Sequence, residues 1–526
     1  MSTLNIILSI ALTLSLIFNY LKLIEQKTAF EIVNDMGIGY NLGNSFECYC
    51  SWMDIEKPDD QITLNDNPIP TKELILRLKK YGFKTIRLPI TWTNFIDEKG
   101  NINSEWLYRI KEVLTWITDA KMYCIINVHY DIEYGQWLYY GLESKEIYIN
   151  LWSQIAKEFK DYDEHLIFES MNEPQFYDED YNYDYHTLLI LTQAFIDTIR
   201  NSDNMNKQRL LIITGPYSYL DMISFEEFKL PIDPKNKFAI SFQYYNPIDF
   251  TKGEFFDMWN DTDDSGYTTY FEPDLHWGTD NDYRELFTDF NLMKTQFLEK
   301  KIPVIITATG VLTEEQKEKE SIREYLYAIF SLSSEYNGMM VCLWDSSKEV
   351  NYTESFSAYT MKFYNREEDK WFDDKLQNNF LQISKGKYIK LSEYYIKSNK
   401  EILIEPNFRD NYNLKIGNRK ALKIILNARI SGILYKDIDF AIGCYDNSGG
   451  IIEFEIGKKN IKKEYDGTTT FTIDISDQDC FISIRVDKYY GRNELIIFNN
   501  LTVEFEETFL YFDYQSYKND LQKYLY

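Results

Sequence analysis

Eight short apolar runs, separated by longer amphipathic stretches, recur between Gly37 and Asp345, and this rhythm constrains the fold more than any other feature. The runs are Gly37–Leu42, Thr85–Ile90, Tyr123–His129, Leu166–Asn172, Leu210–Thr214, Phe238–Tyr245, Pro303–Thr307 and Met339–Trp344. Their apolarity is continuous rather than alternating, as expected of parallel strands covered on both faces. Helical patterns lie between them. Thr71–Tyr81 opens after Pro70 and places Leu74, Ile75 and Leu78 on one face, and Ser104 is the expected N-cap of Trp106–Ala120. Further helices are expected at Lys145–Lys160, Tyr185–Asn201, Tyr283–Lys300 and Glu314–Tyr336. Eight strands with intervening helices point to a closed (β/α)8 TIM barrel. A doubly wound open sheet would carry a glycine-rich phosphate turn after the first strand, and none is present.

In such barrels the reactive side chains sit at the C-terminal ends of the strands. Arg87 falls inside the second run, His129 ends the third, Asn172 and Glu173 end the fourth, Tyr245 the sixth and Trp344 the eighth. Polar groups at matching ends of apolar strands read as one site rather than as scattered buried polar residues.

At these residues the sequence resembles the glycoside hydrolase family 5 endoglucanases. Met36–Asn44 (MGIGYNLGN), Phe83–Trp92 (FKTIRLPITW) and Phe168–Pro174 (FESMNEP) are similar to that family's motifs of strands one, two and four. The N-E-P motif is the most specific of these. Trp277–Asp282, Pro303–Ile306 and Lys370–Phe372 match less specifically, and the resemblance runs from about Thr28 to Lys397. It implies a retaining glycosidase site, in which two carboxyl groups stand roughly 5–5.5 Å apart across the scissile bond. Glu173 would then be the acid/base and Asn172 would bind the sugar 2-hydroxyl. Arg87 would orient the nucleophile, while His129 and Tyr245 would tune the carboxylates. Trp344 would floor a sugar ring, Asn44 would contact a neighbouring sugar, and Tyr130, Trp137 and Trp277 are further candidate sugar-binding residues. The implied partner is β-glucan or a related polysaccharide, and the chemistry needs no metal or other cofactor.

The pattern breaks at strand seven. Counting from Pro303, the family's nucleophilic glutamate falls on Ala308, and a methyl group cannot attack an anomeric carbon. Gln243 stands where the family has its strand-six histidine, Tyr130 replaces the second histidine of strand three, and Ser346–Ser347 replace an Asn-Gly pair. The expectation is therefore a glucan-binding relative with weak or no hydrolysis. Two alternatives stay open: an active endo-β-1,4-glucanase using an unconventional second group, and a repurposed protein-interaction barrel. Glu314 and Glu315 are candidate substitutes, but the spacing favours their opening the next helix.

Ile6–Phe18 is an apolar run of signal-peptide length, so residues 1–27 read as a signal peptide or an uncleaved anchor. This places the barrel of residues 28–398 outside the cell, with membrane attachment only in the anchored case. A linker at 399–411 leads to residues 412–510, whose runs suggest about six to eight antiparallel strands with a hairpin turn at Asp446–Gly450. A β-sandwich fits, read either as a carbohydrate-binding module or as a structural unit. A tail at 511–526 follows. Cys444 and Cys480 could pair there, while Cys124 and Cys342 read as buried thiols. A net charge of −27 without a basic cluster excludes a nucleic-acid partner and is compatible with a neutral polysaccharide.

Overall fold

The computed structural model describes residues 27–49, 55–132, 136–178, 182–225, 227–252, 275–313, 317–347 and 361–398, then the backbone of strands within 401–512 and residues 513–525. Expectations for Ile6–Phe18, Asp446–Gly450, Cys480, and Glu314 with Glu315 lie outside the described residues. The chain forms two compact units, one made mainly of residues up to Ile389 and the other of Lys390–Tyr524 together with Tyr283–Thr288.

The first unit holds a closed eight-stranded parallel barrel. Its strands are β1 (Gly39–Asn41), β2 (Thr85–Leu88), β3 (Tyr123–Ile126), β4 (Leu166–Glu169), β5 (Leu211–Thr214), β6 (Phe238–Gln243), β7 (Val304–Thr309) and β8 (Met339–Leu343). All eight fall within the expected runs or within two residues of them, because a strand buried on both faces must be apolar throughout.

The longer helices are α1 (Ala29–Met36), α2 (Lys72–Lys80), α3 (Ser104–Asp119), α4 (Lys145–Glu158), α5 (Tyr185–Arg200), α6 (Asp280–Gln296), α7 (Lys319–Glu335) and α8 (Asp374–Ser384). Two expectations need correction. Ser104 is the first residue of α3, and its cap is Asn103, whose Oδ1 accepts from Glu105 N (2.8 Å) and Trp106 N (3.3 Å). Helix α7 opens at Lys319 behind Glu318, so it does not reach back to Glu314.

Helix α1 was not apparent from the sequence. Thr28 and Glu31 close a capping box at its start. Its Ala29, Ile32, Val33 and Met36 pack with Ile125, Ile167, Ile212, Ala239, Ile305, Met340 and Cys342 in one buried cluster. This plug fills one end of the barrel. The period-two alternation of strand side chains then predicts what lies two residues further along each strand: Asn127, Glu169, Thr214, Ser241 and Thr307, all buried. An apolar layer thus supports a polar one, and the polar layer faces the C-terminal mouth.

In the second unit the strands pair antiparallel. One four-stranded sheet runs Glu401–Ile404, Leu495–Phe505, Ala421–Gly432 and Tyr465–Asp474. The other runs Asn411–Tyr412, Phe481–Val486, Ile438–Tyr445 and Ile451–Lys459. The expected tail contains structure: Phe509–Phe512 pairs with Tyr395–Ser398, and helix α9 follows at Tyr514–Leu525.

Candidate active site

The polar layer is organised by a buried cation. Arg87 of β2 is fully buried and forms a two-point ion pair with Glu169 of β4, through Nε to Oε2 (2.7 Å) and Nη2 to Oε1 (3.1 Å). Its Nη1 donates to Asn41 Oδ1 (3.0 Å) and its Nη2 to Asn172 Oδ1 (3.0 Å). Asn41 is fixed in turn by donating to the carbonyls of Thr307 (2.8 Å) and Leu343 (3.1 Å). Glu169 and Asn41 were missed in the sequence. The available signal was a lone carboxylate at the end of an apolar strand, three residues before Asn172.

From Arg87 a relay of donors runs to Glu173. Arginine can only donate, so Asn172 must present Oδ1 to it. The same Oδ1 accepts from Gln243 Nε2 (3.2 Å), which fixes the Gln243 amide, and Nε2 also donates to Glu173 Oε1 (2.6 Å). Glu173 itself sits at φ 41°, in the left-handed region and before Pro174, a strained setting of the kind found at functional sites. Its amide is held by Ser218 Oγ (3.2 Å).

Beside this relay stands Ala308. The β6–β7 ladder shifts register after the Phe242–Ile306 pair, so that Gln243 pairs with Ala308. Paired residues on adjacent strands project to the same face. The methyl of Ala308 therefore lies on the face occupied by the Gln243 amide, and it is 1% exposed.

His129 is buried and stacks on Trp344, with ring centroids 5.9 Å apart and an interplanar angle of 10°. Asn127 Nδ2 donates to its Nδ1 (3.1 Å), leaving the imidazole proton on Nε2. Burial, assisted by the Arg87 charge, holds its pKa well below the usual value, so the ring is neutral. Tyr245 is near both Glu173 and Arg87; burial first, then Glu173, raises its phenol pKa. Lys252, absent from the sequence reading, places Nζ 4.2 Å from the Tyr245 ring centre. Burial lowers its pKa and Glu173 opposes that shift.

Trp344 is half-buried, and Gly43 lies against its ring: a Cβ there would be 3.2 Å from Trp344 Cζ2. Asn44, at φ 52°, donates its amide to the Glu47 carboxylate, and its carbonyl accepts from Asn67 Nδ2 (3.0 Å). Arg366 ties this loop to the β8 end by donating to Gly43 O (2.7 Å) and Asp345 O (2.6 Å). Ser347 takes φ 64°, a conformation open to the glycine that the family pattern would place there. Tyr130 is half-buried and edge-on to His129 at 4.6 Å. Trp137 donates Nε1 to Asp131 (2.9 Å), which also accepts from Trp92 N and Thr93 N. Trp277 does not join this group as a sugar platform: it is 4% exposed and edge-on to Tyr325 of α7.

Among the described residues, the other carboxylates here are engaged. Glu169 holds Arg87, Asp131 holds three loop N–H groups and Asp345 accepts from Tyr40. Glu47 accepts two loop amides.

Comparison with known proteins agrees with the barrel fold. A family model described as cellulase (glycosyl hydrolase family 5) matches residues 47–350. Endoglucanase A of Clostridium longisporum is 30% identical over 369 residues, covering 68% of this chain and 66% of the relative. Cellulase/esterase CelE of Acetivibrio thermocellus is 29% identical, covering 66% of this chain but 39% of the relative, so the chain spans less than two thirds of either relative. A solved GH5-4 broad specificity endoglucanase from an uncultured bovine rumen ciliate is 49% identical with a TM-score of 0.65, covering 69% of this chain and 99% of that one. A family 5 lichenase from Caldicellulosiruptor sp. F32, solved with cellotetraose, is 26% identical with a TM-score of 0.58, covering 68% of this chain and 96% of that one. The chain belongs to glycosyl hydrolase family 5.

Proposed function

We propose that this protein binds β-glucan and hydrolyses it weakly or not at all, because Ala308 occupies the position of the catalytic nucleophile. The observation that carries this reading is the pairing of Ala308 with Gln243, whose amide bonds Glu173. A retaining mechanism needs a second carboxyl group across the scissile bond from the acid/base. A methyl group there supplies neither attack nor charge stabilisation. Asn172, Glu173, His129 and Trp344 remain assembled as a sugar-binding wall. The relatives' names, broad specificity endoglucanase and a lichenase with cellotetraose, support a β-glucan ligand.

The 49% identity to an endoglucanase favours a second reading, an active endo-β-1,4-glucanase that uses Glu173 and an unconventional second group. Hydrolysis of soluble β-glucan by the full chain and by Ala308→Glu, with oligosaccharide binding measured alongside, separates the two. The proposal expects binding with negligible turnover, and a gain of at least about a hundredfold in Ala308→Glu, since catalytic groups acting as a unit are strongly non-additive. Turnover by the parent that disappears in Glu173→Gln would establish the second reading instead. Neither binding nor turnover would leave a repurposed interaction barrel.

The same reading makes the C-terminal sheets a carbohydrate-binding β-sandwich and the protein extracellular. The antiparallel pairing supports the former, and the apolar Ile6–Phe18 run supports the latter.

A further inference from the structure

Hydrogen-bond direction along the relay from Arg87 decides what its two amides leave over. Guanidinium nitrogens only donate, so Arg87 Nη2 takes Asn172 Oδ1 (3.0 Å) as its acceptor. That oxygen accepts a second time, from Gln243 Nε2 (3.2 Å), and both its lone pairs are then used. The other hydrogen of Gln243 Nε2 goes to Glu173 Oε1 (2.6 Å). Gln243 has thus spent both donors inside the protein, and its amide has one function left, which is to accept through Oε1. No described residue donates to Gln243 Oε1, and none accepts from Asn172 Nδ2.

The surroundings keep this acceptor open. Gln243 ends β6 and is half-buried, so it meets solvent at the C-terminal face of the barrel. Its pair across the β6–β7 ladder is Ala308, whose methyl can neither donate nor accept. An alanine there leaves the Gln243 oxygen to whatever enters the cleft.

The two fixed amides therefore offer one donor, Asn172 Nδ2, and one acceptor, Gln243 Oε1, from adjoining side chains. A hydroxyl both donates and accepts, and it satisfies such a pair. An ether oxygen or a carboxylate only accepts, and it leaves Oε1 unpaired. Covering an unpaired acceptor costs its hydration, so a site of this kind rejects the wrong ligand more than it attracts the right one.

We propose that Gln243 is a specificity-determining residue of the cleft: its Oε1 accepts a hydrogen bond from a pyranose hydroxyl of the glucan. It selects neutral sugars in which that hydroxyl is free over sugars that are substituted there or lack it. The proposal rests on the glucan-binding reading and gives the end of β6 a task that needs no carboxyl group at position 308.

The test is calorimetric binding of methyl β-cellotrioside and its monodeoxy derivatives to the full chain, to Gln243→Ala and to Gln243→Met. The methionine fills similar space without a hydrogen-bonding amide, so one comparison survives if the alanine variant does not fold. The parent is expected to penalise one derivative through Gln243. Both variants should shrink that penalty by about tenfold and leave the penalties of the other derivatives as they are. A residue that only holds Glu173 in place would weaken every ligand by one factor and leave all ratios between ligands unchanged, and that result overturns the proposal. So does a parent that binds the complete and the deoxy ligands alike. If the parent binds none of them, the glucan reading fails and the proposal fails with it.

Discussion

Glu169→Gln tests the central claim that the cleft is built on one buried ion pair. The substitution keeps the shape of the side chain and removes its charge. Arg87 and Glu169 are both fully buried, and they share two hydrogen bonds of 2.7 and 3.1 Å. A glutamine can accept one of these bonds, but its NH2 would then face another guanidinium donor. The Arg87 charge would be left with only the neutral acceptors of Asn41 and Asn172. Breaking a buried pair in this way costs about 3–5 kcal/mol, because the remaining charge has lost both water and partner. Removing both charges in Arg87→Met/Glu169→Leu avoids that penalty and is expected to cost less than either single change. The assay is urea unfolding of the parent, Arg87→Met, Glu169→Leu and Arg87→Met/Glu169→Leu, with Glu169→Gln alongside, followed by tryptophan fluorescence. With a slope on the order of 3 kcal/mol per molar, the single variants should unfold about 1–1.7 M earlier. Single variants within about 1 kcal/mol of the parent, or a double variant that loses the sum of both, would refute the reasoning. Glucan binding should fall with stability in Glu169→Gln, since Arg87 also sets the orientation of Asn172.

Other outcomes follow from the same geometry. The folded-state pKa of His129 lies well below its unfolded value, so its contribution to stability is complete above about pH 6.5 and declines as pH falls below that. The raised carboxyls Asp131, Glu47 and Asp345 act with the opposite sign, so the difference between the parent and His129→Asn isolates the histidine. That difference should change by up to about 1.4 kcal/mol per pH unit below pH 6.5, and a flat difference would mean the ring is not held neutral. Gly43→Ala would place a methyl 2.9 Å from Asp345 O and 3.2 Å from Trp344 Cζ2. It should displace the Trp344 ring, weaken oligosaccharide binding and lower stability by about 1–3 kcal/mol. Thermal melts and calorimetry together check it, and unaltered binding would remove Trp344 from the sugar wall.

The sequence by itself determined the barrel. Strands covered on both faces must be apolar along their length, and helices over them must be amphipathic, so both leave a one-dimensional record. It also located Arg87 inside the second strand and His129, Asn172, Glu173 and Trp344 at strand ends, since a polar group in such a run is conspicuous. Helix α1 escaped because eight residues are too few to display a repeat, and the Asn103 cap escaped because an equally plausible serine follows it. Only the tertiary structure decided who partners whom. That Arg87 binds Glu169, that Gln243 joins Asn172 to Glu173, and that Ala308 lies beside that amide depend on strand neighbours far apart in the chain and on one register shift. Local sequence carries the period of a strand; the register shift that pairs Ala308 with Gln243 is set by its neighbours.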